Sequence, residues 1–439
     1  MNKLKLSRYA ILFEYNSLYL LFNSRDSSFL ELSKDLYNDL QDFKNGKSVD
    51  ILENQEICHQ LQKLQVLVTE EDDNSFYEQM LLESYQSSFN TEHLAITFAP
   101  TIWCNLNCPY CFETNKQQGI VSLEICDKVI DFISNHKSPK DLDLTWYGGE
   151  PLLAINRIDY FLNRLREKGI NLKKHSIITN GTLLKGDVLD VFERTPLDFI
   201  QITLDGNKKT HDRTRVYRDG SGSFDKIICN LDNFCERFPN TEVVIRVNSG
   251  VHNINDYLEV YNFIHDRYSG EVYVYPGILV GDNDCGFTSH FFTKENISDF
   301  YTMLIRNHIF KEFPHRINSN CYATSLYGYV IGPQGEVYKC WEDVGLKEKV
   351  VGSVMNDKFN NKPLYLQYML HGTFRDSKSC KMCSLLPICD GGCPRHRVEN
   401  RINGSKHNLC SHFNLNNQAS LKELLYLYYR KKKNHFADA

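Results

Sequence analysis

Cys104, Cys108 and Cys111 lie in the run Cys104-Asn105-Leu106-Asn107-Cys108-Pro109-Tyr110-Cys111 and put three thiolates on one short loop. Soft thiolates select iron–sulfur clusters or zinc. Three of them suffice to hold a 4Fe–4S cluster by three corners, and the fourth iron is then open to a small chelator that a fully ligated electron carrier cannot bind. About forty residues on, Trp146-Tyr147-Gly148-Gly149-Glu150-Pro151 follows an apolar run. A Gly pair removes side chains so that backbone can approach a ligand closely, and Glu150 adds a carboxylate; Gly-Gly before Pro is also an ordinary turn.

A second constellation occupies the last third of the chain. Cys321 is followed after thirteen residues by Gly335 and after four more by Cys340; then come Cys380, Cys383, Cys389, Cys393 and Cys410. Such paired spacing suits clusters or structural zinc. The remaining cysteines, Cys58, Cys126, Cys229, Cys235 and Cys285, read as buried free thiols.

The C-x3-C-x2-C run with its aromatic Tyr110, together with the GGEP segment Gly148–Pro151, resembles the radical S-adenosylmethionine superfamily. The later cysteines resemble the SPASM pattern C-x(9 to 15)-G-x4-C, C-x2-C-x5-C-x3-C, C through all seven of its cysteines. The resemblance implies S-adenosylmethionine as cofactor, chelating the open iron through its amino and carboxylate groups and cleaved by one electron to a 5′-deoxyadenosyl radical. It implies three 4Fe–4S clusters, the first on Cys104, Cys108 and Cys111. A distal auxiliary cluster would take Cys380, Cys383, Cys389 and Cys410, and a proximal one Cys321, Cys340 and Cys393. The proximal fourth ligand is open, either another residue such as Cys285 or a substrate.

Expected cofactor contacts are Tyr110, Gly148, Gly149 and Glu150, and, at later strand ends, Asn180, Thr203 and Asp205. Asn and Asp before Gly are also common turn formers. His211-Asp212 and Arg215 match the family's usual continuation and are given no role. No catalytic side chain is assigned, because the difficult step needs no general base.

Apolar runs at Leu94 to Ala99, Leu142 to Trp146, Ser176 to Thr179, Phe199 to Leu204, Val243 to Val247 and Val272 to Tyr275 read as buried parallel strands. Helix-patterned stretches such as Leu123 to Ile133, Ile155 to Arg166 and Tyr257 to Ile264 lie between them. The fold class expected is α/β, a partial (β/α)6 barrel whose Cys loop and Gly pair fall at C-terminal strand ends. At the N-terminus, Tyr9 to Phe13 and Leu18 to Phe22 read as a β-hairpin turning at Glu14-Tyr15-Asn16-Ser17. Leu30, Leu32, Leu36, Tyr37 and Leu40, and then Ile51, Leu52, Ile57, Leu61 and Leu64, recur at helical spacing. By pattern and position this looks like the PqqD-like, winged-helix peptide recognition element of ribosomal-peptide maturases.

The partition expected is a recognition element over 1–74, a linker helix 75–92, the barrel 93–285, a bridging region 286–320, a SPASM domain 321–412 and a C-terminal helix and tail 413–439. Glu70-Glu71-Asp72-Asp73 reads as a solvated boundary, and Arg430-Lys431-Lys432-Lys433 as cations closing the last helix. His371, His396, His407 and His412 read as solvated loop residues.

A formal charge of −5, and 8 Lys and Arg against 15 Asp and Glu over residues 1–90, disfavour nucleic acid. No signal peptide and no run of about 18 apolar residues is present, so a cytoplasmic protein without membrane contact is expected, its cysteines metal ligands rather than disulfides. The function expected is oxidative modification of a ribosomally made precursor peptide, forming a thioether or carbon–carbon crosslink. The expected partners are the peptide's leader and a reductant such as flavodoxin or ferredoxin, with a monomeric enzyme. The alternatives are modification of a folded protein, as in sulfatase maturases, or of a small metabolite. Trp341-Glu342-Asp343 after Cys340 departs from the sulfatase-maturing pattern, which has Asp directly after that Cys.

Overall fold

The computed structural model describes residues 3–47, 54–111, 118–136, 141–279, 291–309, 314–317, 321–356, 359–410 and 418–437. Two compact units are present, one of Met1–Ser88, Lys294–Cys321 and His371–Ala439, the other of Phe89–Thr293 and Tyr322–Leu370. Residues 321–412 contribute to both units.

The first unit opens with β1 (Lys5–Leu6), β2 (Ala10–Tyr15), β3 (Leu18–Asn23), β4 (Ser28–Leu32) and β5 (Leu67–Val68). An antiparallel sheet runs in the order β2-β3-β4, and β1 pairs separately with β5. The β2–β3 hairpin turns on Asn16 and Ser17 alone, at φ 49° and 61°. Positive φ at both loop positions matches the right-handed twist of the strands. Leu30 and Leu32, expected on a helix, lie in β4. The helix α1 (Lys34–Lys44) starts only after Ser33, which is extended and accepts a hydrogen bond from Leu36 N at 3.2 Å. Two further helices follow, α2 (Gln55–Lys63) and α3 (Glu70–Ser88). Ile51 and Leu52 lie outside the described residues.

Both faces of this small sheet are covered. Leu12 and Leu21 pack with Tyr37, Leu40 and Leu61 on one side. Phe13, Leu20 and Phe22 pack on the other with Leu424, Leu425 and Tyr428 of the helix Gln418–Ala437. That helix continues past Arg430–Lys433, so these cations are not its terminus, and Lys433 pairs with Glu31 of β4 at 2.9 Å.

The acidic run Glu70–Asp73 is the first turn of α3, and Asp73 is fully buried rather than solvated. Its carboxylate accepts from Ser7 Oγ (2.8 Å), Arg8 N (2.9 Å) and Arg25 Nη2 (2.7 Å), with Lys5 Nζ at 3.0 Å. Burial alone would raise this carboxyl's pKa, but the donors outweigh it and hold it below the usual carboxylate range.

The second unit is built on β6 (His93–Phe98), β7 (Asp141–Trp146), β8 (Leu172–Thr179), β9 (Phe199–Leu204), β10 (Glu242–Ser249) and β11 (Tyr273–Ile278). All five pairings between successive members are parallel. The helices α4 (Leu123–Asn135), α5 (Ile155–Glu167), α6 (Asp187–Arg194), α7 (Lys208–Thr214), α8 (Phe224–Arg237) and α9 (Asp256–Arg267) fill the connections. The fold is therefore α/β with a mostly parallel sheet, as in a radical SAM barrel. Three short strands, β12 (Gly328–Ile331), β13 (Glu336–Tyr338) and β14 (Gly352–Ser353), extend it to nine in the order β11-β10-β9-β8-β7-β6-β12-β13-β14. β12 runs parallel to β6.

Inside this sheet Trp146 Nε1 donates to His175 Nε2 at 2.8 Å, and His175 Nδ1 faces Pro196 O at 3.0 Å. Burial pushes the His175 pKa down to about 4, so the ring is neutral and free to accept from the indole. Among the described residues no helix is long and apolar enough to cross a membrane.

Asp73→Asn removes the one anion that four donors converge on. The expected loss is about 3–5 kcal/mol, the range for breaking one partner of a buried pair, seen as a lower midpoint in urea or thermal unfolding. Because the native pKa is depressed, Asp73's contribution is present above the unfolded value near about 3.9. It disappears as pH falls through the native value, and the variant should lack that part of the acid-side loss.

Candidate functional site

The Cys104–Cys111 loop leaves the C-terminal end of β6 and is held along its length. Asn107 N donates to Val216 O at 2.8 Å, and Leu106 bridges Tyr217 in antiparallel register. Arg218 donates through Nε to Cys104 O at 3.2 Å, its guanidinium 3.7 Å from the centroid of the Trp103 ring. Cys104 is buried, and its sulfur accepts from Leu106 N at 3.4 Å and Asn180 Nδ2 at 3.7 Å. Cys108 and Cys111 are partly exposed. N–H donors on a buried sulfur favour the thiolate, so three thiols on a loop held in this way fit the expected cluster. Among the described residues no three His, Cys, Asp or Glu side chains gather as ligands of one metal ion. A cluster's thiolates instead bind separate irons.

The Gly pair has a structural role beside the expected cofactor contact. A Cβ on Gly148, whose φ is 122°, would lie 2.1 Å from Thr101 O, and one on Gly149 would lie 2.4 Å from Trp103 O. The backbone approaching this closely is the Cys loop itself. Gly149 N donates to Thr101 O at 3.1 Å and Glu150 N to Trp103 O at 2.9 Å, so the two strand ends are laced together.

Glu150 is fully buried. Its carboxylate accepts from Leu152 N (3.1 Å), Thr179 Oγ1 (2.7 Å) and Asn180 N (2.7 Å), joining the end of β7 to that of β8. Burial raises its pKa despite these donors. Asn180 in turn donates to Asn105 Oδ1 at 2.9 Å as well as to the Cys104 sulfur. Glu150, Asn180 and Cys104 therefore form one connected group.

A second group surrounds Tyr110. Its hydroxyl donates to Asp205 Oδ2 at 2.5 Å and accepts from Arg215 Nη1 at 2.8 Å and Asn248 Nδ2 at 3.2 Å. Burial pushes the Tyr110 pKa well up, which keeps the phenol neutral. Thr214 Oγ1 also donates to Asp205 Oδ2, at 2.8 Å. Asp205 Oδ1 and Arg215 Nε are buried and have no hydrogen-bond partner. A polar ligand carrying both donors and acceptors, as the methionine moiety does, suits such a surface. Thr203 is buried on β9 beside Arg246 of β10.

Arg215, Arg218 and Asn248 were not singled out as contacts from sequence. Arg215 had a signal in its spacing from His211-Asp212, whereas a lone Asn after an apolar strand has none. Asp212 does act as scaffold, accepting from Ser223 N at 2.8 Å and Phe224 N at 2.9 Å.

In the other unit, Cys380, Cys383, Cys389 and Cys410 share one neighbourhood. Burial raises the Cys383 pKa, and the nearby Cys389, Cys380 and Cys410 raise it further. Asp390, Gly391 and Gly392 all have positive φ (52°, 79° and 84°), and a Cβ on Gly392 would meet Leu409 O at 1.9 Å. This turn carries the chain from Cys389 to Cys393 and admits the Cys410 loop. Asn400 secures that loop by accepting from His407 N (2.8 Å) and donating to His407 O (2.9 Å). His407 stacks on His396 with ring centroids 4.4 Å apart, so these two histidines are not simply solvated. Cys321 and Cys393 are exposed, and Cys340 in the sheet unit is partly exposed. Cys285 and His412 lie outside the described residues. After Cys340, Trp341 stacks on Tyr147 at 5.7 Å, and Asp343 is buried and accepts from Tyr368 OH at 2.7 Å.

Residues 98–264 match the Radical SAM superfamily. A cysteine-type anaerobic sulfatase-maturating enzyme of Clostridium novyi (strain NT) is 25% identical over 364 residues, 74% of this chain and 94% of its own. Native anSMEcpe with bound AdoMet and Cp18Cys peptide is similar in structure at a TM-score of 0.59 and 18% identity, over 79% of this chain and 99% of that one. Streptococcus suis SuiB bound to S-adenosylmethionine gives 0.51 at 16% identity, over 89% and 95%. These structural likenesses establish a shared fold. The chain carries a radical SAM domain and is an enzyme of radical SAM chemistry.

Gly149→Ala tests the lacing of the two strand ends. The added methyl meets backbone that cannot rotate away, so S-adenosylmethionine affinity should fall at least about tenfold, a cost of about 1.4 kcal/mol. Equilibrium binding to the anaerobically reconstituted protein measures this, with circular dichroism verifying that the fold is retained.

Proposed function

We propose that this enzyme oxidatively modifies a ribosomally made precursor peptide, forming a thioether or carbon–carbon crosslink. The observation that carries the reading is the second thiol neighbourhood of Cys380, Cys383, Cys389 and Cys410, separate in the chain from the Cys104 loop. A site able to hold an auxiliary cluster can accept the electron left when a substrate radical closes a new bond. The peptide substrate is supported by the N-terminal sheet and helices, read as a PqqD-like winged-helix module that binds a leader, and by anSMEcpe, whose structure contains a bound peptide.

In this reading Cys104, Cys108 and Cys111 hold the first 4Fe–4S cluster. Cys380, Cys383, Cys389 and Cys410 hold the distal one and Cys321, Cys340 and Cys393 the proximal one, within a SPASM domain. The bound cofactor supplies, on one-electron reduction, a radical able to take hydrogen from an unactivated carbon. The protein's part is to bind, orient and exclude water. Arg218 and the strand-end lacing keep the Cys loop rigid. Asn180 donates to the Cys104 sulfur, and the neutral Tyr110 hydroxyl holds Asp205 and Arg215 in fixed orientation. The Tyr110, Gly148, Gly149, Glu150, Asn180, Thr203 and Asp205 region receives the cofactor. Flavodoxin or ferredoxin is the reductant we expect, acting on a cytoplasmic monomer.

The runner-up is sulfatase maturation, favoured by the relatives. Against it, Trp341 stands where an acid would follow Cys340, and the nearest buried acid, Asp343, is engaged by Tyr368.

Anaerobic reconstitution should yield about twelve irons per chain for three clusters. With reductant and S-adenosylmethionine the enzyme should release 5′-deoxyadenosine, and replacing Cys104, Cys108 and Cys111 together by alanine should abolish that release. A short peptide encoded beside the enzyme should lose two hydrogens in mass spectrometry. Conversion of a sulfatase peptide to formylglycine, with the neighbouring peptide untouched, would favour the runner-up.

A further inference from the structure

We infer that Arg397 is a positioning residue that sets the reduction potential of the distal 4Fe–4S cluster by donating an N–H to the Cys380 sulfur and holding positive charge beside it. The inference rests on the reading of Cys380, Cys383, Cys389 and Cys410 as a cluster site.

Arg397 lies on the helix Pro394–Asn403, and its Nη2 donates to Cys380 Sγ at 3.6 Å and to Gly391 O at 2.5 Å. The backbone makes room for it. A Cβ on Gly391 would sit 2.7 Å from Phe374 Cβ and 3.2 Å from Arg397 Nη2, so the guanidinium has a slot that only glycine leaves open. Its Nε is buried without a hydrogen-bond partner, so the fork does not serve a bidentate carboxylate.

A second guanidinium, Arg375, is buried nearby and directs Nε to Ser84 Oγ (3.1 Å) and Nη2 to Ser84 O (2.6 Å), both neutral acceptors. Asp390, next to Cys389, faces both arginines. Asp376 also faces Arg375, so that guanidinium is met by two acids, while the guanidinium of Arg397 reaches the Cys380 sulfur, where a buried cation needs an anionic partner. A thiolate-ligated cluster is such a partner, and it gains negative charge on reduction. N–H donors and positive charge near the sulfurs therefore favour the reduced state and raise the potential.

The test is a redox titration of the anaerobically reconstituted full chain with dithionite and mediators, followed by electron paramagnetic resonance. It is carried out with Cys104, Cys108 and Cys111 replaced by alanine so that the first cluster does not contribute. Dithionite supplies the single electron that each cluster takes up. Arg397→Gln should keep its iron and sulfide, while the distal signal at fixed potential shows at least a tenfold lower reduced-to-oxidised ratio. For a one-electron couple that is about 59 mV. Arg397→Lys, which keeps the charge but not the fork, should fall between. An unchanged potential in Arg397→Gln with the cluster intact overturns the inference.

If Arg397→Gln loses the cluster, pulsed resonance on the parent protein carrying 15N-arginine decides. Nitrogen coupling to the reduced distal cluster supports the inference, and its absence overturns it. A parent whose iron content leaves no distal cluster would instead sink the cluster reading itself, before any variant is compared.

Discussion

Two strand ends touch here with no room for a single methyl group. Gly148 and Gly149, after β7, lie against the carbonyls of Thr101 and Trp103, after β6, and Gly149 N and Glu150 N donate to those two carbonyls. The position of the cysteine loop depends on that contact, because a loop of this kind has no regular structure of its own to fix it. From Glu150, the next residue, the constraint passes through a buried carboxylate to Asn180 and back to the sulfur of Cys104. Three successive strands thereby determine where one thiol points.

Desolvation does much of the remaining work. Burial disfavours the charged forms of Tyr110, His175 and Glu150; Tyr110 and His175 each have a hydrogen bond that suits the neutral form, while Glu150 is held by three donors that oppose the effect of burial. Charges kept inside are met by several donors at once, as at Asp73, or sit close to thiols, as at Arg397. A protein handling reactive radicals benefits from walls that neither donate protons freely nor shift, and buried neutral groups locked in networks supply such walls.

Much of this was readable from residue order. Each of the six apolar runs falls on one of β6–β11, Phe199–Leu204 matching β9 in full but Ser176–Thr179 covering only the second half of β8, because a strand buried on both faces needs continuous apolar character. β4 and β12–β14 were not readable, since strands of two to five residues leave too short a pattern and borrow their hydrogen bonds from distant neighbours. The Gly pair is legible in the sequence, but its packing against the carbonyls of Thr101 and Trp103 is not, for spacing does not show which part of the protein's own chain lies against it. Asp73 was taken for a solvated charge because three of its partners, Ser7, Arg8 and Arg25, are from 48 to 66 residues away. Asn248, whose partner Tyr110 is 138 residues away, has no signal in the sequence for the same reason. Long-range polar pairing leaves no local signature.

The proposed function depends on a cluster on the Cys104–Cys111 loop with one iron open to the amino and carboxylate groups of S-adenosylmethionine. Electron–nuclear double resonance on the reduced protein, mixed with cofactor labelled with 15N at its amino group, addresses this directly. The account predicts hyperfine coupling between that nitrogen and a cluster, lost when the three loop cysteines are replaced. A reduced cluster on this loop whose spectrum ignores the labelled cofactor would contradict it.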